Sequence, residues 1–442
     1  MSVDPRESHN PPASQGSRLD PYVDAYAARA QGMVASEVRA LFAVASRPEV
    51  VSLAGGMPNV SALPLNELSE LVSGVVSEQG ATALQYGSAQ GDPVLREQIC
   101  DVMGLEGIDA VPDDLIVTVG SQQALDLITR VFVDPGDVVL CEAPTYVTAI
   151  NTFAAFQSHI EHVAMDDDGV VPEELERRVT ELRAQGRTIK FFYTVPNFHN
   201  PAGVTLSAER RARVLEICRR FNLLVLEDNP YGLLRYEGEQ LRALRADSPD
   251  NVIYLGSFSK ILSPGFRIGY ALAPPAVRAK LVLAAESAML SHSNFTQLAV
   301  GRYLANQPWR EQIKDFNEMY RERRDAMLSA LDALMPPGVT WTRPQGGFFV
   351  WVTLPEGLDS KAMLPRAVQE RVAFVPGTGF YAGDDGHRHM RLSFCYPTPE
   401  QIREGVRRLV SVIESEIAVR DTFGNASARP SDGGDAPGPD LP

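Results

Sequence analysis

Cysteine is scarce in this chain: Cys100, Cys141, Cys218 and Cys395 are the only four among 442 residues. They lie far apart without metal-ligand spacing, and three sit in apolar or amphipathic runs. Free, buried thiols are therefore expected, which excludes a disulfide framework and a cysteine metal site. No stretch reaches the roughly 18 consecutive apolar residues that argue for a membrane helix. The opening MSVDPRESHNPPASQGSRLDP has no apolar core and does not read as a secretory signal. Basic residues are in deficit, 41 against 56 acidic, for a formal net charge of −15. That sign repels phosphate backbones and anionic bilayers, so neither nucleic acid nor a membrane is an expected partner. These absences describe a soluble, cytoplasmic, acidic protein.

What is present is an ordinary globular balance, 44% hydrophobic and 22% charged, long enough for more than one domain. Residues 1–22 and 421–442 are rich in Pro, Ser, Gly and Asp, and are expected to be disordered. Between them, DLIVTVG (114–120), VVL (138–140), FFYTV (191–195), LLVL (223–226) and VIYL (252–255) form apolar runs. Helical patterns separate them: Leu125, Ile128 and Phe132 share one face, and so do Val214, Ile217 and Phe221 behind a candidate N-cap, Ser207. Strands without alternation, divided by helices, imply an α/β fold with a mostly parallel sheet covered on both faces. After about residue 300 the pattern changes. EQIKDFNEMYRERRDAMLSALDAL leads to GGFFVWVTL, VAFV and MRLSFCY, which suggests a smaller α+β domain. The expected division is 23–65 packing with the small domain, 66–304 as the large domain and 305–420 as the small one.

In an open α/β sheet, ligands gather at the carboxyl ends of the strands. Four such ends here carry polar residues. GSQQ (120–123) lies at a helix start, where free backbone N–H groups bind an anion such as phosphate. LEDNPY (226–231) presents Asp228 and Tyr231, and PNFHNPAG (196–203) ends another strand. SFSKILSPGFRIGY (257–270) supplies Ser257, Ser259, Lys260 and Arg267. Taken singly, Lys260 is a solvated loop lysine, Asp228 a turn cap, and Ser121 and Gln122 helix caps. As a set they suit pyridoxal phosphate. A lysine amine forms a Schiff base with its aldehyde, while hydroxyls, N–H groups and a guanidinium take its phosphate. A carboxylate keeps its pyridine nitrogen protonated.

These motifs resemble the fold-type I aminotransferases of class I/II, and within them the subgroup of 2-aminoadipate and kynurenine aminotransferases. The resemblance runs from about residue 23 to 418. It rests on SLAGGMP (52–58), ALQYG (83–87), GSQQALDL (120–127), EAPTY (142–146), NPAG (200–203), GSFSKILSPGFRIGY (256–270), RPQGGFFVW (343–351), VAFVPG (372–377) and MRLSF (390–394), all in the family's order. It implies a mostly parallel seven-stranded sheet between helices, plus the smaller α+β domain. By position, Lys260 corresponds to the Schiff-base lysine that also shuttles the substrate proton, and Asp228 to the partner of the pyridine nitrogen. Asn200 and Tyr231 correspond to the groups on the ring oxygen, and Tyr146 to the aromatic residue stacked on the ring. Ser121, Gln122, Ser257 and Arg267 correspond to the phosphate cup, and Ser259 is a further expected cofactor-binding residue. Tyr86 matches a tyrosine that reaches the neighbouring subunit's phosphate, which implies a homodimer with shared active sites. Arg391 corresponds to the clamp on the substrate α-carboxylate, a bidentate task suited to guanidinium. Gly56 lets the backbone approach the substrate. Arg39 lines up with an arginine for the distal carboxylate of glutamate or 2-aminoadipate.

The implied activity moves an amino group from an aromatic, branched-chain or 2-aminoadipate-like L-amino acid to a 2-oxo acid, with 2-oxoglutarate the expected acceptor. The expected course is ping-pong, with no metal. Three departures stand out: His199 replaces the usual Gln before Asn200, Ala202 replaces Thr, and Asp228-Asn229-Pro230-Tyr231 stands where relatives often read Asp-Asp-Ala-Tyr. His199 can bear on the substrate side of the pocket or its pH response, since histidine titrates near neutrality. The alternatives are a lyase, decarboxylase or racemase using the same cofactor, because fold does not fix reaction, and a transcription regulator on this fold. Against the regulator, only about 20 to 35 polar residues precede the matched region, too few for a winged helix, and the charge is acidic.

Overall fold

Apolar runs turn into strands whose carboxyl ends share one edge. The computed structural model describes residues 22–31 and 47–424. Arg39 and the expected disordered ends, apart from Tyr22 and residues 421–424, lie outside the described residues. The strands, in chain order, are β1 (Val51–Ser52), β2 (Leu115–Thr118), β3 (Val138–Ala143), β4 (His159–Asp166), β5 (Gly169–Val170), β6 (Ile189–Thr194), β7 (Leu224–Asp228), β8 (Val252–Ser257), β9 (Gly269–Leu272), β10 (Thr340–Trp341), β11 (Phe349–Thr353), β12 (Val372–Ala373), β13 (Val375–Pro376) and β14 (His389–Ser393).

The large sheet has the order β2-β9-β8-β7-β6-β3-β4-β5. From β8 to β4 all neighbours are parallel, while β9 is antiparallel to both β2 and β8. The seven-stranded, mostly parallel sheet is therefore present, and the two-residue β5 folds back on β4 as a short addition to its edge. Besides β5, two strands of the large sheet escape the apolar-run reading. β4, HIEHVAMD, is largely exposed or half-buried, and β9 is four residues that begin in the last two positions of the SFSK motif.

Successive residues point to opposite faces of the pleat, so each strand feeds two cores. Val139, Tyr193, Leu226 and Leu255 pack under helices Gly120–Phe132, Val147–Ala155 and Pro275–Met289. Val138, Phe192 and Val225 pack on the other face under Pro172–Ala184 and Ala208–Arg220. Each such side chain, fully buried, contributes ~1.5–3 kcal/mol relative to exposure. Ser207 does stand at the N-cap of Ala208–Arg220, but its hydroxyl makes no capping bond.

The smaller sheet, β10-β11-β14-β13, is antiparallel throughout and packs with helices Trp309–Leu334, Ser360–Gln369 and Pro399–Gly424. The last helix runs four residues beyond the expected boundary at 420. β1 pairs in parallel with β12, and Leu53 O accepts from Ser393 N at 2.7 Å, so the chain around Leu53 joins the small domain. Ala28–Gln31 lies instead beside the large-domain helix Val147–Ala155.

Candidate active site

The carboxyl edge of the large sheet opens onto a cavity of about 320 Å³, whose far wall is Phe349 and Arg391 of the small sheet. β7 ends in two acids, and the pleat separates them. Glu227 turns away and accepts from the backbone N–H groups of Leu244 and Arg245 at 3.0 and 2.8 Å. Asp228 faces the cavity. Its Oδ2 accepts from the Tyr193 hydroxyl at 2.8 Å, while Oδ1 is buried with no partner among the described residues. Burial pushes its pKa up to about 6, against the pull of the Tyr193 hydrogen bond.

Past β8 the chain turns so that the Ser257 and Ser259 hydroxyls meet at 2.9 Å, and the Lys260 amine follows into the cavity. Lys260 Nζ donates to Gly56 O at 3.0 Å. Burial brings its pKa down to about 8; the nearby guanidiniums of Arg391 and Arg267 push the same way and the Cys395 thiol opposes.

The helix Gly120–Phe132 starts at the cavity, where its first amides have no intrahelical partner. Gln123 Oε1 accepts from Val119 N at 2.7 Å and closes the entry turn. Gly120 has φ +70°, and a Cβ there would stand 2.4 Å from Arg267 Nη2, so the guanidinium lies directly on the turn. Arg267 donates to Val119 O at 3.1 Å.

From β14, Arg391 donates to Asn200 Oδ1 and to Ala54 O, each at 2.8 Å, and leaves Nε buried without a partner among the described residues. The guanidinium lies 4.2 Å from the Phe349 ring centre and 5.1 Å from that of Phe380. Burial lowers its pKa to about 10, so it stays cationic at neutral pH. Tyr231 stands edge-on to Phe348 and Phe349, and burial raises the pKa of both Tyr231 and Tyr146.

This donor set fits pyridoxal phosphate. Asp228 Oδ1 is a bare acceptor for a ring N–H, a helix start with a guanidinium and two hydroxyls suits a phosphate, and a buried amine suits an aldehyde. The free Nε of Arg391 is a donor suited to a substrate carboxylate.

Every cofactor- or substrate-binding residue proposed from the family resemblance lines this cavity except Tyr86 and Arg39. Tyr86 is 76% exposed on a loop away from it, and Arg39 lies outside the described residues. His199 does not line it either. It is 1% exposed, with Nδ1 accepting from Ala202 N at 3.3 Å and Nε2 lying 3.2 Å from Glu142 Oε2. Sequence reasoning missed Tyr193 and Phe349. The signal for Tyr193 was available: a tyrosine in a buried apolar strand needs a partner for its hydroxyl.

Fold and site together define a pyridoxal-phosphate-dependent enzyme of fold type I. Residues 59–409 match the sequence profile of aminotransferase class I and II, and the chain belongs to that family. It is 44% identical to aromatic-amino-acid aminotransferase 1 of Thermococcus litoralis, over 90% of this chain and 95% of that one. It is 37% identical to the 2-aminoadipate transaminase of Thermus thermophilus, over 90% and 98%. Among solved structures it resembles the Pyrococcus horikoshii kynurenine aminotransferase in complex with PMP, with a TM-score of 0.87 and 42% identity over 91% of this chain and 100% of that one.

Proposed function

We propose that this aminotransferase moves the amino group of an L-amino acid to a 2-oxo acid in two alternating half reactions, with Lys260 as the base at the substrate Cα. Bound in the cavity, pyridoxal phosphate supplies the aldehyde that takes up the amino group and a ring that accepts electron density from Cα. The chain's own residues do the rest. The start of helix Gly120–Phe132, Ser257, Ser259 and Arg267 hold the phosphate, and Asp228 keeps the ring nitrogen's proton. Tyr146 would pack against the ring, and Tyr231 and Asn200 would hold its oxygen. Arg391, oriented by Asn200, takes the α-carboxylate and so sets which Cα bond stands across the ring. With a pKa lowered to about 8, Lys260 is partly neutral near physiological pH and can accept that proton. The observation that carries this reading is the convergence of a buried lysine amine, a carboxylate with a bare oxygen and a carboxylate-reading arginine on one cavity.

The remaining described lining includes Met57, Val147, Pro264 and Phe349, which favours an aromatic or other apolar donor. The aromatic-amino-acid relative supports the same choice, and 2-oxoglutarate is the proposed acceptor. Use of 2-aminoadipate would call on Arg39. A homodimer is proposed because Leu65, Leu84 and Tyr86 are large apolar side chains more than half exposed, with Tyr86 completing the partner's phosphate site. Free rather than bridged cysteines support a cytoplasmic setting.

A panel of amino acids assayed with 2-oxoglutarate tests the substrate class. Incubation with glutamate and no acceptor tests the reaction: pyridoxamine phosphate should accumulate, and turnover without it would favour the lyase or racemase reading. Sedimentation velocity tests the dimer.

A further inference from the structure

Among the described residues, the Asp228 carboxylate has a single hydrogen-bond donor and no cationic partner. The donor is Tyr193, 2.8 Å from Oδ2. Strand register explains the meeting. β6 and β7 run parallel with Tyr193 opposite Leu226 and Thr194 opposite Glu227. Tyr193 and Leu226 share the face under helix Gly120–Phe132, and Asp228, two residues on, shares it too. The phenol therefore reaches along the pleat to the carboxylate at the strand end. Its ring is 0% exposed and stands edge-on to Phe153 at 5.5 Å, which fixes its direction. With Oδ2 engaged from behind, Oδ1 is left bare at the cavity.

We propose that Tyr193 is a positioning residue, whose hydroxyl orients the Asp228 carboxylate toward the cofactor's ring nitrogen and favours its ionised form. The proposal rests on the functional reading above. Among the described residues, the hydroxyl is the one group that opposes the burial favouring a neutral carboxyl in the apoprotein. A neutral acid holds a ring N–H more weakly and no longer favours the protonated ring.

The test titrates full-length apoprotein with pyridoxal phosphate for wild type, Tyr193→Phe, Asp228→Asn and the double variant. It also records ring-nitrogen protonation in the loaded enzymes by NMR with ¹⁵N-labelled cofactor. The bond is made without cofactor too, so only the part that strengthens toward a protonated ring bears on affinity. Tyr193→Phe should weaken cofactor binding about 3- to 10-fold and shift the ring signal toward unprotonated pyridine. In the Asp228→Asn background the same change should cost less than about 2-fold, because the charge it serves is gone. Binding by Tyr193→Phe within about 2-fold of wild type would overturn the proposal. So would an equal loss in the Asp228→Asn background, since the phenol would then act through packing alone. A wild-type chain that takes up no cofactor would overturn the functional reading itself, a result distinct from either.

Discussion

Replacing Gly120 by alanine imposes two costs that can be measured apart. The first is conformational. Gly120 holds φ +70°, and an L-residue in that left-handed region gives up ~1–2 kcal/mol. This cost is the same with and without cofactor, so it lowers stability and leaves affinity alone. The second is steric and local. The new Cβ would lie 2.4 Å from Arg267 Nη2 and 3.0 Å from its Cζ, so the guanidinium must retreat by about 1 Å to reach ordinary contact. That movement breaks its 3.1 Å bond to Val119 O and takes it off the phosphate. A hydrogen bond to a charged group is worth ~1.5–3 kcal/mol, so cofactor affinity should fall about 10- to 150-fold. Gly136→Ala is the control: φ is +88° there, but nothing lies within 4 Å of the added carbon. Both variants should melt about 1–3 °C below wild type, whereas only Gly120→Ala should weaken pyridoxal phosphate in a fluorescence titration of the apoprotein. Equal affinities for Gly120→Ala and wild type, or an equal loss in Gly136→Ala, would refute the assignment of this turn and Arg267 to the phosphate.

Three further outcomes are expected. Arg391→Lys keeps a charge but loses the fork, so kcat/KM should drop about 10- to 150-fold in both half reactions, measured as single turnovers with the amino acid and then the oxo acid. Cofactor affinity should hold within about 2-fold, and a loss there instead would place Arg391 on the wrong ligand. Asp228 has its pKa raised by burial from 3.8 to about 6, so between those values the unfolded chain releases a proton that the folded one keeps. Stability of the apoprotein therefore falls as pH rises through that window, by about 3 kcal/mol in all. Asp228→Asn should raise the apoprotein's melting temperature at pH 7 and leave it unchanged at pH 3, and equal shifts at both pH values would contradict this. His199 is buried against Glu142 rather than facing substrate, so His199→Gln should leave the substrate profile and pH optimum of the aminotransferase unchanged. A changed profile would mean that the histidine reaches the pocket.

Much of the site is legible in the amino-acid sequence, because its chemistry sits on short motifs at strand ends. Asp228, Ser257 and Lys260 each follow an apolar run after one to four intervening residues, so strand recognition alone places them on one edge. What escapes recognition has physical causes. β4 faces solvent and lacks a continuous apolar run, and β9 is too short to show a pattern beside Arg267. Tyr193 reads as core, and only its register with β7 reveals that its hydroxyl serves Asp228. His199 reads as a pocket residue by adjacency to Asn200, yet the backbone turns its side chain into the protein.

Local chemistry is written in residue types and their spacing: an amine after a strand, serines beside it, a helix start for an anion. Those follow from covalent neighbours and the period of the backbone, and the chain alone determined them. The folded molecule decided which of two adjacent acids, Glu227 or Asp228, meets the cavity environment, and which oxygen stays bare. It also decided that an arginine 191 residues beyond Asn200 closes on its side-chain carbonyl. Such pairings depend on sheet order and interdomain packing, which bring distant segments together through burial that no local pattern encodes.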